Sequence, residues 1–327
     1  MIWLAILIVC ILIAIPTVLA GGLGYLFGVI IPYAAILTFL AGFVYRVLVW
    51  ARSPVPFRIT TTCGQQKSLP WLKNSPLENP HTGLGVVGRM ALEIFTFRSL
   101  FRNTRAELRD GPKLVYGSSK WLWLGALAFH YSFLVIFIRH FKYFAEPVPG
   151  FVTMAESLDG FFQVGLPIIF ATDIIFPAAL LFLFLRRILD AKLRYISLAS
   201  DYFPLFLIGG IATTGILMRY FFKVDLVAVK ELGAGLLSLH PALPEGVGAL
   251  FYIHLFLVSS LIAYFPFSKL MHLGGVFLSP TRNLANNNRS RRHTNPWNYP
   301  VPVHTYQEYE DEFRPVMKAA GLPVEKE

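Results

Sequence analysis

The stretch Trp121-Leu122-Trp123-Leu124-Gly125-Ala126-Leu127-Ala128-Phe129-His130-Tyr131-Ser132-Phe133-Leu134-Val135-Ile136-Phe137-Ile138-Arg139-His140 decides the fold. It is apolar almost throughout. As a helix it is long enough to cross a bilayer, which takes roughly 20 such residues. It also carries two imidazoles, His130 and His140. A polar, titratable ring is costly in hydrocarbon unless something binds it, so an intramembrane histidine points to function.

The rest of the chain is of the same kind. It has 327 residues, 55% hydrophobic and 15% charged, a balance that excludes an ordinary soluble domain. The fold class read from it is an all-α integral membrane helix bundle with about six spans, near 2–20, 25–50, 119–141, 161–185, 203–222 and 248–271. Gly21-Gly22-Leu23-Gly24 joins the first two as a hairpin. Val18-Leu19-Ala20 looks like a signal cleavage motif. No basic residue precedes the first apolar run, however, and a second run follows at once, so the first span reads as retained.

A net charge of +10 would fit a nucleic-acid binder if the basic residues were clustered, but here they are sorted by loop. Segments 46–120, 186–201 and 269–327 hold 24 of the 29 Lys and Arg, and the loops near 139–159 and 219–247 hold the other five. The positive-inside rule puts the first set in the cytoplasm, with both termini on that side of an inner membrane. Cys10 lies in the first span and Cys63 in a cytoplasmic loop, so this chain provides neither a disulfide framework nor an iron–sulfur ligand set. Cys63 reads as a reduced thiol.

Outside the spans, 51–84 is rich in Pro, Gly and polar residues and reads as an irregular loop. Residues 85–110 place Val87, Ala91, Ile94 and Phe95 at helical spacing among five arginines, which predicts a basic amphipathic helix on the inner membrane face. The tail has few aliphatic residues but several aromatic and proline anchors, and it reads as a partner-docking segment. The expected organisation is an N-terminal hairpin (1–50), a cytoplasmic loop with the amphipathic helix (51–116), a four-helix membrane domain that holds His130 and His140 (117–275) and a docking tail (276–327).

Two more histidines, His254 and His272, fall in the last span or at its end. Ten helical residues rise roughly 15 Å and eighteen roughly 27 Å. Spans three and six run in opposite directions, so His130 and His272 lie near the cytoplasmic side, and His140 and His254 near the outside. Matching by depth pairs 130 with 272 and 140 with 254, with about 12 Å of rise left for tilt to absorb. Two facing pairs in a bundle predict two b-type haems, each with two axial histidines. No Cys-x-x-Cys-His occurs, so covalent attachment is excluded.

Haem propionates seek cations. Arg139, Lys142, Arg219 and Lys223 are the outer candidates, and Lys120, Arg186, Arg187 and Lys269 the inner ones, although each is also explained by snorkelling at a helix end. Asp173 reads as a carboxylate in mid-span with no acid near it in the chain. It serves either as a proton relay or as a hydrogen-bond partner for a neighbouring helix.

The ten- and eighteen-residue histidine spacings resemble those of the respiratory nitrate reductase gamma subunit family, a dihaem quinol-oxidising cytochrome b, over roughly 115–275. The flanks look like the narrower DsrM family, the membrane cytochrome b of the Dsr complex of dissimilatory sulfur metabolism. The residues that carry this second likeness are Pro54-Val55-Pro56-Phe57-Arg58, Thr62-Cys63-Gly64-Gln65-Gln66, Ser279-Pro280-Thr281-Arg282-Asn283 and Asn295-Pro296-Trp297-Asn298-Tyr299. The resemblance implies electron transfer between menaquinone or menaquinol and a DsrK-like cytoplasmic iron–sulfur subunit, itself heterodisulfide-reductase-like, together with other Dsr complex subunits. It implies His140 and His254 at an outer haem, His130 and His272 at an inner one, and a quinone pocket near Arg139, His140 and Lys142. The nitrate reductase subunit has five spans, and the additional N-terminal span departs from it. A true nitrate reductase gamma subunit is one alternative. A haem-free membrane anchor or transporter is another.

Overall fold

The structure, a computed structural model, describes residues 1–53, 64–163, 167–243, 245–291 and 304–326. Among these, five helices are long and apolar enough to cross a membrane: Ile2–Leu19, Leu26–Ala51, Lys120–Tyr143, Ala199–Tyr220 and Ala249–Phe267. The chain is a multi-pass, mostly helical membrane protein.

Two compact units are distinguished. One comprises Met1–Ala51 and Val87–Ser279, the other Arg52–Val86 and Pro280–Glu327. The first begins with α1 (Ile2–Leu19), then a π-helical turn at Leu26–Ile30 that continues into α2 (Ile31–Ala51). Then come α3 (Gly83–Thr96, which starts in the second unit), α4 (Arg98–Arg102), β1 (Thr104–Arg109), β2 (Lys113–Ser118) and α5 (Lys120–His140). Beyond α5 lie α6 (Gly150–Asp159), β3 (Gly160–Phe162), β4 (Ile169–Phe170) and α7 (Thr172–Leu189). The unit closes with α8 (Ala191–Ile196), α9 (Ala199–Tyr220), α10 (Leu226–Leu237), α11 (Ala249–Tyr264) and α12 (His272–Leu278).

The packing follows from which faces are apolar on both sides. Helix α11 packs on α1, α2 and α9, while α5 packs on α7, and α7 on α9. Val9, Leu207, Ile253 and Leu257 form one core between α1, α9 and α11, and Phe176, Leu180 and Ile208 another between α7 and α9. The outward faces of α1 and α2 carry exposed Trp3, Leu7, Ile11, Leu37, Leu40 and Val44, as lipid contact requires.

Three expectations are corrected. The fourth span does not start at 161: residues 160–170 hold the short antiparallel strands β3 and β4, and the helix starts at Thr172. Asp173 is therefore in the first turn of α7, not in mid-span. The basic helix of 85–110 ends at Thr96, and 104–118 is an antiparallel hairpin with Arg109 opposite Lys113. Its turn holds Asp110 and Gly111 at φ 48° and 88°, the left-handed region that an Asp-Gly pair tolerates. The last span is not one continuous helix. Beyond Tyr264 come a 3-10 turn (Phe265–Phe267), extended Ser268 (φ −118°, ψ 176°) and a second 3-10 turn (Lys269–Met271) before His272. Proline at position 266 removes a backbone donor and helps end the helix. Gly42 of α2 lets this corner seat, because a Cβ there would lie 2.7 Å from Pro266 Cβ.

In the second unit the tail pairs with the loop of the same chain. Asn286 N–H donates to Pro80 O (2.7 Å) and its Nδ2 to Asn79 Oδ1 (2.8 Å). Helices α13 (Pro280–Asn283) and α14 (Tyr306–Ala319) belong to this unit. Within it, buried Glu310 accepts hydrogen bonds from the amides of Glu325 (2.7 Å) and Lys326 (3.0 Å), folding the last residues back onto α14. Residues 54–58, Thr62, Cys63 and 292–300, which carried part of the sequence reading, lie outside the described residues.

Candidate functional site: two facing histidine pairs

Helix α5 presents His130 and His140, and the α11–α12 segment presents His254 and His272. The rings of His130 and His272 lie 5.9 Å apart, centre to centre, with their planes at 85°. Those of His140 and His254 lie 6.4 Å apart and nearly parallel, at 10°. The structure thus sets together the same partners that depth matching pairs. Between His254 and His272 the helix is broken at Pro266 to Ser268, so helical rise does not measure their separation.

Each ring is oriented through one nitrogen. His130 Nδ1 lies 2.8 Å from Ala126 O, His140 Nδ1 2.7 Å from Ile136 O, and His272 Nδ1 2.9 Å from Lys269 O. A carbonyl only accepts, so in all three Nδ1 carries the proton. His254 Nδ1 lies 2.9 Å from Thr214 Oγ1, which spends its own proton on the carbonyls of Gly210 and Ile211 and is left to accept. All four rings therefore keep Nε2 as a lone-pair donor, the state of a metal-ligating histidine whose other nitrogen is held by an outer partner.

The spacing fits a metal between the rings. Two imidazoles bonded at about 2.0 Å on opposite sides of one ion put their ring centres roughly 6 Å apart. His130, His140 and His272 are exposed on the chain, although they belong to an apolar bundle. A planar apolar group with a ligand-accepting metal satisfies both requirements at once. Among the described residues no cluster of three or more His, Cys, Asp or Glu forms a metal site, so the donor set at each level is two imidazoles. Phe97 and Phe129 pack edge-on against His130 (5.1 and 5.2 Å), and Tyr143 against His140 (5.9 Å). Phe97 reaches His130 because α3 is pinned to α5 by hydrogen bonds from Trp123 to Thr96 O and from Tyr131 to Phe95 O, both 2.7 Å.

The cations read from sequence are mostly engaged within the chain. Arg139 pairs with Asp159 (2.6 Å), Lys142 with Glu156 (2.5 Å), Arg219 with Asp173 (3.8 Å), and Arg187 and Lys269 with Asp201 (3.8 and 2.5 Å). Arg187 also donates to Ser197 Oγ (2.8 Å). Asp173 is not isolated from other acids, because Asp159 shares Arg139 with it. Sequence reasoning missed Thr214, Phe97, Asp159 and Tyr220. Thr214 had a signal, since Thr213-Thr214-Gly215 interrupts an apolar helix. The others act through contacts between elements and had none.

Comparison with known proteins gives the family of the chain. Residues 92–291 match the model of the nitrate reductase gamma subunit family. The chain is 46% identical over 282 residues to the Hdr-like menaquinol oxidoreductase cytochrome b-like subunit of Archaeoglobus fulgidus, covering 84% of each chain. It is 44% identical over 274 residues to the protein of the same name from Archaeoglobus profundus, covering 82% of this chain and 81% of that one. On a family match over more than half of its length and on relatives this similar, the chain belongs to the nitrate reductase gamma subunit family, as a membrane cytochrome b of the Hdr-like menaquinol oxidoreductase type.

Proposed function

We propose that this chain is a dihaem cytochrome b that carries electrons across the membrane from menaquinol to a cytoplasmic, heterodisulfide-reductase-like iron–sulfur subunit. His140 with His254 holds the outer haem and His130 with His272 the inner one. Bound there, the haems supply one-electron transfer between the two sides of the membrane. The observation that carries the reading is that two histidine pairs, with ring centres 5.9 and 6.4 Å apart, both have every Nδ1 engaged.

The protein's own groups do the rest. Carbonyls of their own helical turns hold the Nδ1 of His130, His140 and His272, and Thr214 holds that of His254. Menaquinol binds beside the outer pair, near Arg139, His140 and Lys142, and releases its protons outward as electrons pass inward. The DsrK-like partner and the other Dsr-type subunits meet the cytoplasmic end, in sulfur or sulfite metabolism. The curated relatives' name, a subunit of an Hdr-like menaquinol oxidoreductase, supports the quinol and the assembly. The flanking Ser279-Pro280-Thr281-Arg282-Asn283 and Asn295-Pro296-Trp297 motifs support the sulfur branch.

The test is a dithionite-reduced absorption spectrum of the purified chain, with haem counted per polypeptide. Two haems are expected, with His254→Ala and His272→Ala each removing a different one. A folded preparation with no b-type α-band refutes the reading and leaves a haem-free anchor or transporter.

A further inference from the structure

We propose that the four charges gathered around Phe170 are a tuning cluster, which sets the redox potential at the outer histidine pair. The proposal rests on the reading that His140 and His254 hold one haem.

Four elements converge there. Arg139 comes from the end of α5, Asp159 from the end of α6, Thr172 and Asp173 from the start of α7, and Arg219 and Tyr220 from the end of α9. Arg139 donates to Asp159 (2.6 Å) and to Thr172 Oγ1 (3.0 Å), and it lies 3.6 Å from Asp173. Asp159 also accepts from Thr172 N–H (2.9 Å) and Thr172 Oγ1 (2.6 Å). Asp173 accepts from the Tyr220 hydroxyl (2.6 Å) and lies 3.8 Å from Arg219. The two guanidinium groups sit over the Phe170 ring, at 3.4 and 4.1 Å from its centre.

This geometry engages Asp173 from three sides, with two guanidiniums beside it and a phenol donating to it. What it provides is fixed charge. Two cations and two anions cancel, with the Arg139, Asp159 and Asp173 side chains only 9%, 4% and 13% exposed. Arg139 directly precedes His140, and Asp173 lies within electrostatic range of that ring. In so dry a setting, removing one charge leaves a field that water screens poorly.

The sign follows from the charge of the centre. A ferric haem carries one more positive charge than a ferrous one, so a neighbouring anion favours the ferric state and a cation the ferrous. Neutralising Asp173 therefore raises the potential, and neutralising Arg219 lowers it. A contact that served only to hold the helices together would give the same damage whichever end was cut.

The experiment is an optical redox titration of the full chain, wild type against Asp173→Asn, Arg219→Gln and the double variant. One of two midpoints is expected to move up in Asp173→Asn and down in Arg219→Gln, and to return near the wild-type value in the double variant, with the other midpoint unmoved. Arg219→Lys, which keeps the charge, should leave both in place. If Asp173→Asn does not fold, Tyr220→Phe removes the donor to Asp173, with the longer contacts of that hydroxyl to Phe170 N–H and Ile168 O (both 3.4 Å), and should lower the same midpoint by less than Arg219→Gln does. Two haems with neither midpoint moved, or with both single variants shifting the same way, overturn the tuning cluster alone. A folded wild type without two haems overturns the reading beneath it.

Discussion

Thr214 is the most informative single substitution. Three of the four histidines hold Nδ1–H through main-chain carbonyls, which no mutation deletes. His254 alone uses a side chain, Thr214 Oγ1 at 2.9 Å. Thr214→Val keeps the shape of a buried residue and removes the acceptor. The Nδ1–H of His254 then loses its hydroxyl acceptor and keeps only the Ile211 carbonyl beside it, which costs at most about 1–3 kcal/mol. Loss of an outer-shell partner lowers metal affinity by about 10–100-fold, which is about 1.4–2.7 kcal/mol, so the two routes agree. The lost bonds from Oγ1 to Gly210 O and Ile211 O add little, because such back-bonds within a helix do not strengthen it. The assay is haem retained per chain in competition with a haem-free globin, read separately for the two spectral components. One haem should be lost about 10–100 times more readily and the other held as before, with Thr214→Ser restoring retention. If Thr214→Val keeps both haems with wild-type affinity, the Nδ1 contact does not orient a ligand and the reasoning at this ring is wrong.

Other outcomes follow from the same geometry. Gly42→Leu forces a side chain into Pro266 and Phe267, which a Cβ alone would approach to 2.7 and 3.0 Å. It should cost about 1–3 kcal/mol in thermal unfolding and deplete the inner haem first, since His272 follows that corner. Arg139→Ala leaves Asp159 buried without its cation; a loss of about 3–5 kcal/mol is expected, and an unchanged melting temperature in detergent counts against it. At the C-terminus, the amide of Glu325 foremost, then that of Lys326 and the Arg314 guanidinium, hold the Glu310 carboxyl below the usual glutamate range. Its folded pKa is depressed, so its contribution is complete above the unfolded value of about 4.3 and is lost as the pH falls through the folded one. Hydrogen exchange at the Glu325 and Lys326 amides, corrected for intrinsic rate, should show protection at neutral pH that Glu310→Gln reduces. Protection unchanged in that variant refutes the closure.

What the sequence made legible, and what it hid, divides along a physical line. Apolar runs of bilayer length announce themselves, so the spans at 2–20, 25–50, 119–141, 203–222 and 248–271 appear as helices with shifted ends. Gly160–Phe162 and Ile169–Phe170 are just as apolar but pair as short strands, because hydropathy reports burial and not backbone conformation. Pro266 was a visible signal that the last helix would not reach His272, and Asp110-Gly111 a visible signal for the hairpin. Both stand beside runs of helical periodicity, and the sequence reading above uses neither. The charges divide in the same way. Arg139, Asp173 and Arg219 stand out singly in the sequence, but together with Asp159 they satisfy one another from four separate elements, so no local pattern betrays the cluster, and most of their cost is met within the protein. The histidines differ in kind. Their own helical turns or a neighbouring threonine meet the need of Nδ1, and nothing described in the chain meets that of Nε2. A polar atom whose demand the chain leaves open, four times over at two depths, is a demand for something from outside the chain. That is why the site was readable before the fold, whereas the mutual pairing of the charges proposed to tune it was not.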